Sequence, residues 1–117
     1  PRFAFSNGSY PALEKGLGPN HLLEHLDGLV SVDDIRSFKP DPAVYAHARR
    51  ATGAMDQPLC LVSCNGWDVI GARASGLLAV WVQRDPEVVF EDWGLAPSAV
   101  IPDLHGLPEA LATLDAR

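Results

Sequence analysis

The stretch LCLVSCNGWDVIGARASG, residues 59–76, limits the possible fold more than any other part of the chain. Residues 59–63 are an almost continuous apolar run, the pattern of a strand covered on both faces, as in parallel sheets. A helix is expected over residues 67–75, with Val69, Ile70 and Ala72 inward and Gly76 as its stop. Residues 78–82 read as the next buried strand. Strand, helix and strand in that order make a parallel crossover, which is right-handed in nearly every known case. The loop inside it carries Ser63, Cys64, Asn65, Trp67 and Asp68, more polar and aromatic side chains than a plain connector needs.

The rest of the chain repeats this alternation. Residues 2–5 form a short apolar strand that ends in the turn-prone run Ser6-Asn7-Gly8-Ser9. Residues 10–16 are weakly helical. Pro19-Asn20 opens a short amphipathic helix over residues 21–27, with leucines at 22, 23 and 26, stopped by Gly28. Residues 29–32 are a second strand and residues 33–40 a loop. Asp41 is placed to cap a helix whose first position is Pro42, with Val44, Ala48 and Ala51 on one stripe and an end at Gly53. Residues 99–101 form a last strand, and residues 107–114 a closing helix started by Pro108. The expected fold is therefore α/β: a three-layer, Rossmann-like parallel sheet with helices on both faces, in a single partial domain over residues 1–117. Ligands of such sheets lie beyond the carboxyl ends of the strands. Ser6-Asn7, Lys39 and residues 63–68 all fall at or beside those ends, and their expected convergence points to an active site.

Composition narrows the function. The 117 residues suffice for one small domain, and 47% hydrophobic with 21% charged residues is ordinary for a globular protein. The net charge of -6, with no lysine–arginine stripe, argues against nucleic-acid binding. No apolar run approaches the roughly 20 residues of a membrane helix, so no membrane partner is expected. Cys60 and Cys64 straddle a strand end, too far apart for an unstrained disulfide, and read as free thiols in a reducing, cytoplasmic compartment. His21 and His25 have i, i+4 spacing but no third ligand nearby, and His47 and His105 fall on helix faces or loops, so no metal or other cofactor is expected. The opening RFAFSNG begins with strand residues and no leader, which suggests the C-terminal part of a larger protein.

Three features line up in order: the strand ending in Ser6-Asn7-Gly8, then SFKPDPAVY with Lys39 and Tyr45, then VSCNGWDVIGA. Together they resemble the haloacid dehalogenase superfamily and, within it, the L-2-haloacid dehalogenases, over nearly the whole chain but only the C-terminal half of the family. The resemblance implies hydrolytic dehalogenation of small 2-haloacids to 2-hydroxy acids, through an ester on an aspartate nucleophile. It also implies roles. Ser6 and Asn7 hold the substrate carboxylate or the nucleophile. Lys39 stabilises the nucleophile as an anion, and the Tyr45 hydroxyl supports that charge network. Ser63 bonds around the nucleophile, Asn65 donates to substrate or leaving halide, and Trp67 makes an apolar wall. Asp68 holds Lys39 and helps activate the hydrolytic water. Blander readings stand beside these: an ordinary Ser-Asn-Gly turn, a surface lysine before proline, a core tyrosine or tryptophan on a helix face, and a helix cap at Asn65 or Asp68.

Phosphatases of the superfamily present two acids in the last loop, spaced GDxxxD, to hold magnesium. Here Cys64 stands where the first acid would be, and a neutral thiol is a poor magnesium ligand. A lysine can supply the positive charge instead, which favours a metal-independent dehalogenase over a superfamily phosphatase. Within the closer family, Cys64 replaces a more usual serine, Gly66 an alanine and Phe38 a tyrosine. The family's nucleophile motif, DxxGT in type, and its helical cap with a substrate-binding arginine are absent from these residues. In the family's strand order the missing strand lies between the one ending at Ser6 and the one ending at Ser63. The expectation is a fragment that is inactive alone and needs an N-terminal segment to complete the sheet, from a parent that is a homodimer. Besides the phosphatase, the other reading is a non-catalytic interaction module whose sheet edges recruit a strand.

Overall fold

The computed structural model describes residues 1–91 and 93–116. They divide into two compact units, Pro1–Gln57 and Pro58–Arg117.

In the first unit, β1 (Phe3–Ser6) pairs in parallel with β2 (Gly28–Ser31), Phe3 opposite Gly28 and Ser6 opposite Ser31. At Gly28 a Cβ would lie 3.0 Å from the Phe3 ring, so a larger residue there would have to push the ring aside. Between the strands runs α1 (Tyr10–Leu17), capped by Ser9, whose hydroxyl accepts the Ala12 N–H. The amphipathic helix expected over residues 21–27 is only a 3-10 turn, Leu23–His25. His21 sits at φ 58, a left-handed conformation that interrupts a helix, and the Asp27 N–H is drawn to the Arg2 carbonyl at the start of the sheet. The region expected as a loop after β2 begins with another 3-10 turn, Val32–Ile35, capped by Ser31 and ended by Arg36 at φ 52.

The helix α2 (Pro42–Ala51) starts as its sequence implies, with the Asp41 carboxylate accepting the Ala43 N–H at 2.9 Å. Its buried face is Val44, Tyr45 and Ala48. Ala51, expected on that stripe, is exposed, because it stands at the helix end beyond the apolar side chains. Val30, Val32 and Ala54 complete the buried apolar set of this unit, with Ser31 fully buried between the two valines.

In the second unit, β3 (Cys60–Ser63), β4 (Leu78–Val82) and β5 (Ala99–Ile101) form a parallel sheet in that order. The crossover helix α3 (Gly66–Ala74) packs on β3 and β4, and α4 (Leu107–Asp115) packs on β5. Val80, Val82, Ile101 and Leu114 make one buried cluster, with Leu107 and Ala110 of α4 against it. Ala79 and Trp81, alternating along β4, turn to the other face and are also buried. Gly53 and Gly76, at φ 72 and 83, lie just past α2 and α3 and let the chain leave each helix in the left-handed region. Parallel strands joined by helices are the α/β architecture expected, and among the described residues the strands pair as β1–β2 and β3–β4–β5.

Candidate active site

The expected site residues fall into two clusters, one per unit. In the first unit they gather at the carboxyl end of β1. The Ser6 hydroxyl accepts the Gly8 N–H at 2.9 Å, closing the turn that carries Asn7. Asn7 Oδ1 accepts the backbone N–H of Lys39 at 2.8 Å, so a residue 32 positions away is tied directly to the strand end. The half-buried Lys39 side chain runs back over β1. Its Nζ donates to the Phe5 carbonyl at 3.0 Å and stands 4.2 Å from the Phe5 ring centroid. Tyr45 is fully buried and meets the same ring edge-on, centroids 5.9 Å apart at 77°. Ser6, Asn7, Lys39 and Tyr45 are thus brought together, with Phe5 at their centre.

Sequence reasoning missed three contributors here. Phe5 is one. Ser31 is another: fully buried, its hydroxyl donates to the Gly8 carbonyl at 2.7 Å and accepts the Asp33 N–H at 3.1 Å. A polar residue inside the apolar run of residues 29–32 was the available signal. The third is a chain of three side chains. The Tyr10 hydroxyl donates to Asp34 Oδ2 at 2.6 Å, and His47 Nε2 meets the same oxygen at 2.9 Å. The tyrosine hydrogen bond, aided by the histidine, holds the Asp34 carboxyl below the usual carboxylate range. The same bond raises the Tyr10 hydroxyl above the ordinary tyrosine value. Nearby, the Ala43 N–H and then the Ser37 hydroxyl lower the Asp41 carboxyl, as a helix cap should.

In the second unit the site residues lie on the turn from β3 into α3. The Ser63 hydroxyl accepts the Asn65 N–H at 3.1 Å. Asn65 is the N-cap of α3, but its side chain makes no capping bond; its carbonyl accepts the N–H groups of Asp68 and Val69. Asp68, in the first turn, is buried to 3% exposure, a helix position that favours an acidic side chain. Trp67 is 45% exposed and so is not a core residue, and Cys64 is exposed. The residue missed here is Trp81 of β4, whose indole Nε1–H donates to the Cys64 carbonyl at 3.1 Å and pins the turn. Phe90 meets the Trp81 ring edge-on at 5.1 Å.

Neither thiol is paired, and burial pushes the Cys60 thiol up from its ordinary value. Among the described residues no three His, Cys, Asp or Glu side chains are grouped as a metal ion would need. Among them, too, no helix is long and apolar enough to cross a membrane.

No family model matches the chain. Individual relatives do. It is 35% identical over 111 residues to (S)-2-haloacid dehalogenase H-109 of Pseudomonas putida, an alignment covering 95% of this chain and 49% of that protein. It is 36% identical over 110 residues to (S)-2-haloacid dehalogenase 1 of Pseudomonas sp. strain CBS-3, covering 93% of this chain and 48% of the relative. Among solved structures, the L-2-haloacid dehalogenase of Xanthobacter autotrophicus with chloropropionic acid covalently bound superposes with a TM-score of 0.89 at 28% identity, over 95% of this chain and 54% of that one. The chain spans about half the length of the curated relatives it matches. On sequence and fold together, the chain resembles the 2-haloacid dehalogenases over about half of their length.

Proposed function

We propose that the two clusters serve one reaction, the hydrolytic dehalogenation of a small 2-haloacid to a 2-hydroxy acid, in a protein of which these 117 residues supply one part. The observation that carries the reading is the Lys39 ammonium, tied to the strand end beside Ser6 and Asn7. The nucleophile is an aspartate in a segment matching the portion of the relatives that this chain does not cover. Its carboxylate oxygen attacks C2 of the haloacid, and the carbon–halogen bond breaks with its electron pair leaving as halide. Water then adds to the ester carbonyl as a base takes its proton. The hydroxy acid departs and the carboxylate is restored. The covalently bound chloropropionic acid of the Xanthobacter enzyme is an adduct of the kind this scheme requires.

In this scheme Lys39 keeps the nucleophile anionic, with Tyr45 supporting its charge network. Ser6 and Asn7 hold the substrate carboxylate, and Ser63 bonds around the nucleophile. Asn65 donates to substrate or halide, the exposed face of Trp67 contributes an apolar wall, and Asp68 orients Lys39 and acts as base toward the water. No metal or other cofactor enters the scheme. The two units are parts of a single partial domain whose sheet is completed by the companion segment. β1 pairs only with β2, and β3 only with β4, among the described residues, which supports that reading. The whole protein is a homodimer in the reducing cytoplasm, a setting that suits two unpaired thiols.

The test is halide release from 2-chloropropionate, by the chain alone and by the chain joined to a matching N-terminal half, with and without chelator. No release is expected from the chain alone, and chelator-insensitive release from the joined protein. Lys39→Met and Asp68→Asn should each lower kcat by about 10²–10³-fold. Chelator-sensitive turnover, or magnesium-dependent hydrolysis of a phosphate ester in place of dehalogenation, would favour the phosphatase and end this reading.

A further inference from the structure

We propose that Phe5 is a positioning residue for Lys39, fixing the ammonium through its ring face and its carbonyl; this rests on the reading of Lys39 as a catalytic group. Lysine presents a compact charge on a long flexible stem, so its tip needs a holder if the charge is to stand at one point. Phe5 provides two. The Nζ–carbonyl distance is 3.0 Å, and the Nζ lies 4.2 Å from the ring centroid, well inside the roughly 6 Å reach of a cation–π contact. The two contacts differ in kind. The carbonyl accepts one N–H, and the ring face draws the charge from another side without using a hydrogen bond.

The holder is itself held. The edge-on contact with the fully buried Tyr45 fixes the plane of the Phe5 ring, and parallel pairing sets Phe5 opposite Val30. Two residues on, Asn7 Oδ1 binds the Lys39 backbone N–H at 2.8 Å. Both ends of the lysine are therefore anchored to the same short segment, from Phe5 in β1 to Asn7 just past its end. An aliphatic residue at position 5 would still pack on Tyr45 and would keep the carbonyl, but it would offer no π face. The aromatic ring is what this position adds to the lysine.

The chain has two lysines, Lys39 and the exposed Lys15 of α1, so a lysine-labelled sample gives two sets of side-chain signals and one is an internal reference. NMR of the 117-residue chain, alone and bound to an unlabelled N-terminal half, should show the Lys39 ε-protons shifted upfield of those of Lys15 by the ring current. Phe5→Leu should bring them to the Lys15 position, and Phe5→Tyr should keep the shift. Should Phe5→Leu fail to fold, a fluorinated phenylalanine series at position 5 keeps the shape and weakens the π face in steps. In the joined protein, Phe5→Leu should lower kcat about tenfold with little change in KM, and Phe5→Tyr should recover it. Coincident Lys39 and Lys15 signals in the native chain overturn the contact. A normal shift with kcat unchanged in Phe5→Leu overturns the positioning role. A normal shift with no dehalogenation by any joined protein leaves the contact standing and sinks both the role and the dehalogenase reading.

Discussion

Tyr10, Asp34 and His47 show how one oxygen can tie three segments together. Asp34 Oδ2 accepts from the Tyr10 hydroxyl of α1 and faces His47 Nε2 of α2, while Asp34 itself sits in the turn after β2. The proton shared with Tyr10 shifts the two groups in opposite directions, Asp34 down and Tyr10 up. The lowered carboxyl contributes stability at pH above its unfolded value of 3.8, and that contribution is lost as pH falls through the folded value. The raised hydroxyl contributes below its unfolded value of 10.0, and its share is lost as pH rises through the folded value. The bond should thus act across the window between those limits. Tyrosinate absorbance should show Tyr10 ionising above the ordinary tyrosine value, and Tyr10→Phe should remove a late component and flatten the pH dependence of the unfolding midpoint at both ends. Loss of a component at the ordinary tyrosine value in Tyr10→Phe, in place of a late one, would mean the bond does not form in solution. Lys39, Ser6 and Asn7 were legible in the sequence because each stands at or near a strand end, where chemistry collects. The Tyr10–Asp34–His47 chain was not, since its members lie 24 and 13 positions apart and no spacing rule joins them.

Among the elements, α2 was the most readable, because Asp41-Pro42 is a start signal that uses both a side-chain acceptor and a fixed φ. The failed helix at residues 21–27 shows the opposite case. Its leucine pattern suited a helix, but the chain turns through His21 and is pulled into the sheet by the Asp27–Arg2 bonds, and tertiary contacts outweigh a short amphipathic pattern. The turn into α3 combines both lessons. Its sequence marked it as functional, yet nothing local revealed that Trp81, 17 positions on, holds it by the Cys64 carbonyl. Trp81→Phe keeps an aromatic ring against Phe90 and removes only the donor and part of the buried surface. The orphaned carbonyl and lost area should cost about 1–3 kcal/mol, read as a lower urea midpoint at unchanged m. Loosening should be greatest at the amides of residues 64–68. A midpoint equal to that of the native chain would show that the indole bond contributes nothing to the turn.

For the whole molecule, the uneven pairing of the strands has a measurable consequence. β4 is bonded on both sides, by β3 and β5, whereas β1 and β3 each have one strand neighbour among the described residues. Alternate backbone groups on the far side of such strands point toward whatever lies there, and a polar backbone group left without a partner is costly once buried. If a companion segment completes the sheet, the cost is removed where that segment pairs. Hydrogen exchange should therefore be slowest along β4 in the chain alone, with faster exchange in β1 and β3. Adding a matching N-terminal half should slow exchange at the outward amides of β1 and β3, with β5 little affected, and should raise the unfolding midpoint through ligand-like linkage. The comparison within one sheet is the discriminating part. General tightening would slow β5 as well, but strand addition protects β3 and leaves β5 as it was. Equal protection of β3 and β5, or none at either, would mean that the companion does not pair with this sheet.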